Sequence, residues 1–125
     1  RVDYNGRSFC YITDNELFVE GNPHHNPHYV AKLTRFIEGA DVLVTDTTYT
    51  DHEYAAKVGW GHSSISEAVK LAHNARVKNL YLFHHDPDQS DTAIDHKLEL
   101  AETQLASLRS KTCVIAPQEG QLFRL

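Results

Sequence analysis

Two rhythms of apolar residues run through the chain. Short apolar runs bounded by turn-prone or polar residues occur at Ser8–Thr13, Val42–Val44, Leu80–Phe83 and Thr112–Ala116. Runs of that length, rich in β-branched and aromatic residues, predict strands. Between them the spacing changes to the helical period. Val30, Leu33 and Ile37, flanked by Tyr29 and Phe36, predict a helix from His28 to Gly39, with Pro27 at its start and Gly39 as its stop. Ile65, Ala68, Val69 and Ala72 predict a second helix that ends near residues 74–76. Ile94, Leu98, Ala101, Leu105 and Leu108 make one stripe of a third, from about Thr92 to Arg109. Thr50 with Glu53, and Ser64 with Glu67, each read as a capping box opening a helix. Leu17-Phe18-Val19 is a brief apolar run, and Gln121 to Leu125 reads as a short terminal strand after the Pro117–Gly120 turn. Strand, helix and strand in succession form a β-α-β unit, which implies parallel pairing. The pattern is that of an α/β layered fold in a single domain, residues 1–125, without repeats or internal linkers.

Composition narrows the function classes. The chain has 125 residues, 41% of them apolar, and a net charge of −5. Bulk charge therefore gives no general affinity for nucleic acid, although a local basic patch would still hold phosphate. No run approaches the roughly 18 apolar residues that cross a bilayer. No secretory signal is recognised at the abrupt start, Arg1. Cys10 and Cys113 both lie in apolar, strand-like runs, which predicts two buried thiols in a reducing compartment, the cytoplasm. The nine histidines are an excess, and imidazole suits metal binding and proton transfer near neutral pH.

The stretch from Asp41 to Pro87 concentrates the candidate chemistry. One predicted strand ends at Thr45-Asp46-Thr47-Thr48, and another ends at His84-His85-Asp86-Pro87. Asp14 ends an earlier strand. His62 lies between Gly61 and a helix start, where backbone N–H groups favour anionic groups. Strand ends of open α/β sheets are where sites are built. Adjacent residues of an extended chain point opposite ways, so at most one of His84 and His85 is expected to face a given site. The His24-His25-Asn26-Pro27-His28 cluster reads as a surface or mouth loop, and Asp51-His52-Glu53 as a solvated helix start. Tyr49 and Trp60 read as packing or pocket-wall residues.

In this order, the strand ending at Asp14, the Thr45-Asp46-Thr47-Thr48 strand end, Gly61-His62-Ser63-Ser64 opening a helix, and Leu80-Tyr81-Leu82-Phe83-His84 resemble the C-terminal half of metallo-β-lactamase-fold hydrolases. The nearest likeness is to the phosphodiesterase branch that contains tRNase Z and small cyclic-phosphodiesterase-like proteins. Gly59-Trp60-Gly61-His62-Ser63-Ser64 and Leu82-Phe83-His84-His85-Asp86-Pro87 resemble the latter. The resemblance implies half of an αβ/βα sandwich, a mixed sheet with flanking helices. It implies that Asp14 bridges two divalent metal ions (zinc, or else manganese or iron) and that His84 is the last histidine ligand. It implies that His62 contacts the scissile phosphate and aids the leaving group, oriented by Asp46. Two departures matter. Asp46 stands where tRNase Z has Glu in a His-Glu-Ala-Thr motif. His85-Asp86 replaces an apolar residue and Ser, which argues for a small phosphodiester rather than tRNA.

The family's His-x-His-x-Asp-His signature is absent from these residues. Asp14 and His84 alone are too few for a typical zinc site. The expectation is therefore a C-terminal half completed by an N-terminal half of the same fold, from the same or another chain, with a homodimer as one form of pairing. The parent would be an enzyme, and this part alone inactive. The contrasting reading is a non-catalytic regulatory or interaction module. A plain flavodoxin-like domain ranks last, because no Gly-rich phosphate loop follows the first strand.

Overall fold

The computed structural model describes residues 1–124. Among them are five strands, β1 (Val2–Tyr4), β2 (Arg7–Ile12), β3 (Val42–Asp46), β4 (Asn79–Phe83) and β5 (Cys113–Ile115). The helices are α1 (Pro27–Ile37), the short α2 (Asp51–Tyr54), α3 (Ile65–Asn74) and α4 (Asp91–Ser107). The strands form one sheet in the order β1-β2-β3-β4-β5. β1 folds back antiparallel on β2, and β2 through β5 are mutually parallel. This is the α/β layering that the sequence pattern predicts, and the mixed sheet with flanking helices that the family resemblance implies.

Each parallel strand neighbours the next in sequence, and the crossovers carry α1, α3 and α4 in turn. Parallel crossovers share one hand, so successive helices wound in one direction fall on one face. The burial pattern agrees. Leu33 and Ile37 of α1, Ile65, Val69 and Ala72 of α3, and Ala101 and Leu105 of α4 share one cluster with Cys10, Leu43, Leu80 and Leu82 of the sheet. The opposite face is thinner: Val42, Val44 and Tyr81 are buried there with Phe9 and Ile115 beside them, while Tyr11 and Phe83 remain exposed. β3 is buried along its whole length, the signature of a central parallel strand.

The N-terminal edge of the sheet is locked by Asp41. Its carboxylate accepts from Lys78 Nζ (2.8 Å), Arg7 (3.1 Å) and the Ser8 backbone N–H (2.9 Å). These donors, Lys78 first, hold it well below the usual carboxylate range. Three strands are thus tied at one end, and the polar strand ends at the other are left to build a site.

Several expectations need correction. Residues 121–124 form no strand; Phe123 packs on Tyr81 (ring centroids 4.7 Å apart), so the tail crosses the thin face instead of extending the sheet. Leu125, the last residue of that expected strand, lies outside the described residues. Thr50 and Glu53 do form a capping box, but Ser64 makes no side-chain cap bond. Its backbone is held by a parallel bridge to Tyr49, and Glu67 turns instead to Lys70 at 2.7 Å. Cys10 is buried, but Cys113, on the edge strand β5, is exposed. On α1 Tyr29 and Phe36 are exposed, and on α4 the largest buried side chain is Lys97, in a stripe where apolar residues were expected.

Candidate active site

The C-terminal ends of β2, β3 and β4 lie side by side, because Ile12 pairs with Thr45 and Asp46 with Phe83. Just past β2 stands Asp14, at the end of β3 Asp46, and just past β4 His84. The loop entering α3 brings His62 over the same edge. Ligand-capable atoms of Asp14, Asp46, His62 and His84 all lie within 4.8 Å of one another. Residues from three strand ends and a loop, far apart in sequence, therefore converge.

Asp46 is the fixed point. It is 0% exposed and surrounded by polar groups. Oδ1 accepts from Thr48 N (3.1 Å), Thr48 Oγ1 (2.7 Å) and Ser63 N (3.2 Å). Oδ2 accepts from Asn15 N at 3.4 Å and lies 2.7 Å from His62 Nδ1. The carboxylate oxygen beside His62 offers its Nδ1 an acceptor, which favours the tautomer with the proton on Nδ1. The aspartate, one methylene shorter than Glu, reaches the imidazole without difficulty. Nε2 is left as the ring nitrogen not engaged with Asp46.

The second histidine stacks on the first: the His62 and His84 rings are 4.7 Å apart and inclined by 22°. His84 Nε2 stands 2.9 Å from Asp14 Oδ1, and its Nδ1 is 3.2 Å from Thr48 Oγ1. The Thr48 hydroxyl also lies 2.6 Å from the His84 carbonyl. His84 Nε2 and Asp14 Oδ1 face each other as an imidazole–carboxylate pair, and both atoms are of a type that ligates a cation. Carboxylate and imidazole suit zinc, manganese and iron, so the donor set fits a divalent metal ion. Asp14 and His84 also both adopt left-handed backbone, φ 50° and 60°, a conformation that costs a side-chain-bearing residue energy and clusters at functional sites.

His85 is turned out of this group: both its ring nitrogens are buried without a hydrogen-bond partner. Burial, helped by the neighbouring Lys97 charge, pushes its pKa down to about 4. Asp86 pairs with Lys57 at 3.8 Å. Of the adjacent histidines, then, one faces the cluster, although His84, past the end of β4 with φ 60°, is not part of an extended strand. His25 bonds the Phe18 carbonyl at 2.7 Å, and Asn26 caps α1, so that loop is a structural connection.

Sequence reasoning missed several supports. Glu16 accepts from Tyr54 Oη, Gly59 N and Gly61 N at 2.8, 2.7 and 2.8 Å, which clamps the loop that carries His62. Lys97 is 0% exposed and donates to the Thr48 carbonyl (3.1 Å) and to Gln89 Oε1 (2.8 Å). Burial lowers its pKa to about 8, against the pull of Glu53, Asp46 and Asp86. A lysine in an apolar helical stripe was the one available signal.

A parallel sheet faced by helices, with a carboxylate–imidazole cluster at its C-terminal edge, defines an α/β protein with the donor set of a metal centre. The chain belongs to the β-lactamase superfamily: the family model described as "Beta-lactamase superfamily domain" matches residues 1–85. It is similar to proteins named Ribonuclease Z. That of Thermoplasma acidophilum is 41% identical over 76 residues, covering 58% of this chain and 24% of that protein. That of Brevibacillus brevis is 41% identical over 69 residues, covering 54% and 22%. That of Nitrosopumilus maritimus is 32% identical over 80 residues, covering 64% and 26%. The chain thus spans about a quarter of the length of the curated relatives it matches. No solved structure matches it significantly. Among the described residues, no helix is long and apolar enough to cross a membrane.

Proposed function

We propose that this chain is part of a divalent-metal-dependent phosphodiesterase in which Asp14 and His84 hold metal and His62, oriented by Asp46, handles the proton of the leaving group. The observation that carries the reading is the buried Asp46 side chain holding His62 Nδ1 at 2.7 Å beside the Asp14–His84 pair. Two bound cations, zinc or else manganese or iron, would neutralise phosphate charge and supply an activated water. Asp46 keeps a proton of His62 on Nδ1 and aims Nε2 at the site, and a proton carried on Nε2 would pass to the departing alkoxide. The clamp of Glu16 on Gly59 and Gly61, and the stacking of His62 on His84, hold that ring in position.

The proposed substrates are small or cyclic phosphodiesters. RNA is the second reading, favoured by the relatives named Ribonuclease Z. Four ligand-capable groups, two of them engaged with each other, leave the metal shell short of protein donors. We therefore infer that the chain works with a further half of the same fold, in the same or another chain. Support comes from the thin sheet face, an open apolar groove lined by Phe9, Tyr11, Val44, Tyr81 and Phe83. Unpaired Cys10 and Cys113 agree with a reducing location, proposed as the cytoplasm.

Metal analysis and a phosphodiester panel on the full-length protein test this. Asp14→Ala or His84→Ala should abolish metal uptake and turnover together. His62→Ala should keep the metal and lower turnover by about 10²–10⁴. Full turnover in His62→Ala would refute its role, and metal retained without Asp14 and His84 would refute theirs.

A further inference from the structure

Trp60 is held on display. It is 62% exposed, yet its loop is fixed. Glu16 binds the backbone N–H of both flanking glycines, and Trp60 N donates to the Lys57 carbonyl at 3.1 Å. Gly59 and Gly61 have φ of +87° and +89°, a region L side chains rarely enter, so the loop is built to turn sharply on either side of the ring. A large aromatic side chain kept rigid without being buried gains little for folding. One ring face carries a cation: Lys57 Nζ lies 4.5 Å from the Trp60 centroid. The same ammonium is 5.2 Å from the Tyr49 ring, and Tyr49 meets the His62 ring edge-on at 6.1 Å. Lys57 also reaches Asp86, two residues past His84. An unbroken path of contacts therefore leads from His62 through Tyr49 and Lys57 to Trp60.

We propose that Trp60 and Lys57 form the base-binding platform of this site, so that the substrate class is a nucleotide phosphodiester whose nucleobase stacks on Trp60 while Lys57 meets its phosphate. The proposal rests on the phosphodiesterase reading and deepens it. The chemistry matches a nucleotide's two ends: a π-face for the base and a positive charge for the anion. With a net charge of −5 the chain attracts no polyanion in bulk, so recognition of a nucleotide must be local, as here.

The test is equilibrium binding of AMP and of ribose 5-phosphate, which lacks the base, to the full-length protein and its Trp60→Leu and Trp60→Phe variants. The wild type should bind AMP about tenfold more tightly than ribose 5-phosphate, the effect of one stacked base. Trp60→Leu should bring AMP down to the level of ribose 5-phosphate and leave the latter unchanged, whereas Trp60→Phe should keep most of the preference. Trp60 is the only tryptophan of the 125 residues, so the emission difference between wild type and Trp60→Leu should be quenched by AMP and not by ribose 5-phosphate. Equal affinity for both ligands in the wild type, equal weakening of both in Trp60→Leu, or no binding of either would overturn the platform. Hydrolysis of a dialkyl phosphodiester, which has no aromatic group, keeps the two readings apart. Turnover of that substrate without base preference removes the platform alone. Base preference without turnover of any phosphodiester supports the platform and removes the hydrolase reading.

Discussion

Replacing Asp46 with Asn asks whether the carboxylate sets the protonation of His62 or merely fills space. The amide is nearly isosteric, but one oxygen becomes a donor. With its oxygen at the Oδ1 position, the new amide keeps the three donors from Thr48 and Ser63. Its NH2 then faces Asn15 N and His62 Nδ1. The reverse orientation sets the NH2 against three donors and is worse. In the favoured orientation one backbone donor loses its acceptor, a cost of about 1–3 kcal/mol. His62 must now accept at Nδ1, so its neutral form carries the proton on Nε2 and its imidazolium loses both the anion and a place for the second proton. Turnover of a phosphodiester should fall by about 10²–10⁴ at neutral pH. The assay is steady-state turnover of wild type and Asp46→Asn at neutral pH, beside urea unfolding to show that the variant folds. Turnover close to that of wild type would refute the proposed role of Asp46.

Two further predictions concern the scaffold. Lys97 has a folded pKa of about 8 against an ordinary value of 10.5. Between those values the unfolded chain holds a proton that the folded chain does not, so stability rises with pH across this window. Relative to Lys97→Met, the wild type should gain about 2–3 kcal/mol in urea unfolding from roughly pH 7 to pH 10.5, and a flat difference would contradict a buried, weakened ammonium. Leu80→Ala, at a fully buried position of β4, should cost about 3 kcal/mol in the same measurement, and a loss below about 1 kcal/mol would mean the core collapses around the gap.

Hydrophobic periodicity by itself determined the elements: strands at Val42 and Leu80, helices at Ile65 and Ile94, and a parallel β-α-β order. Those features are local, set by which face of a short segment must leave water. Turn chemistry was also legible where a cap is made between near neighbours, as at Thr50 and Glu53. It failed at Ser64, whose backbone is claimed by Tyr49 from another part of the chain. The strand ends announced Asp14, Asp46 and His84 because polar residues directly after an apolar run mark the sheet's open edge. Only the tertiary structure decided that His62 meets Asp46 at 2.7 Å, that Glu16 clamps the loop around Trp60, and that Lys97 is buried behind Thr48. Those contacts join residues far apart in sequence. Their distances follow from sheet register and crossover hand, and neither is written in any single stretch of the chain.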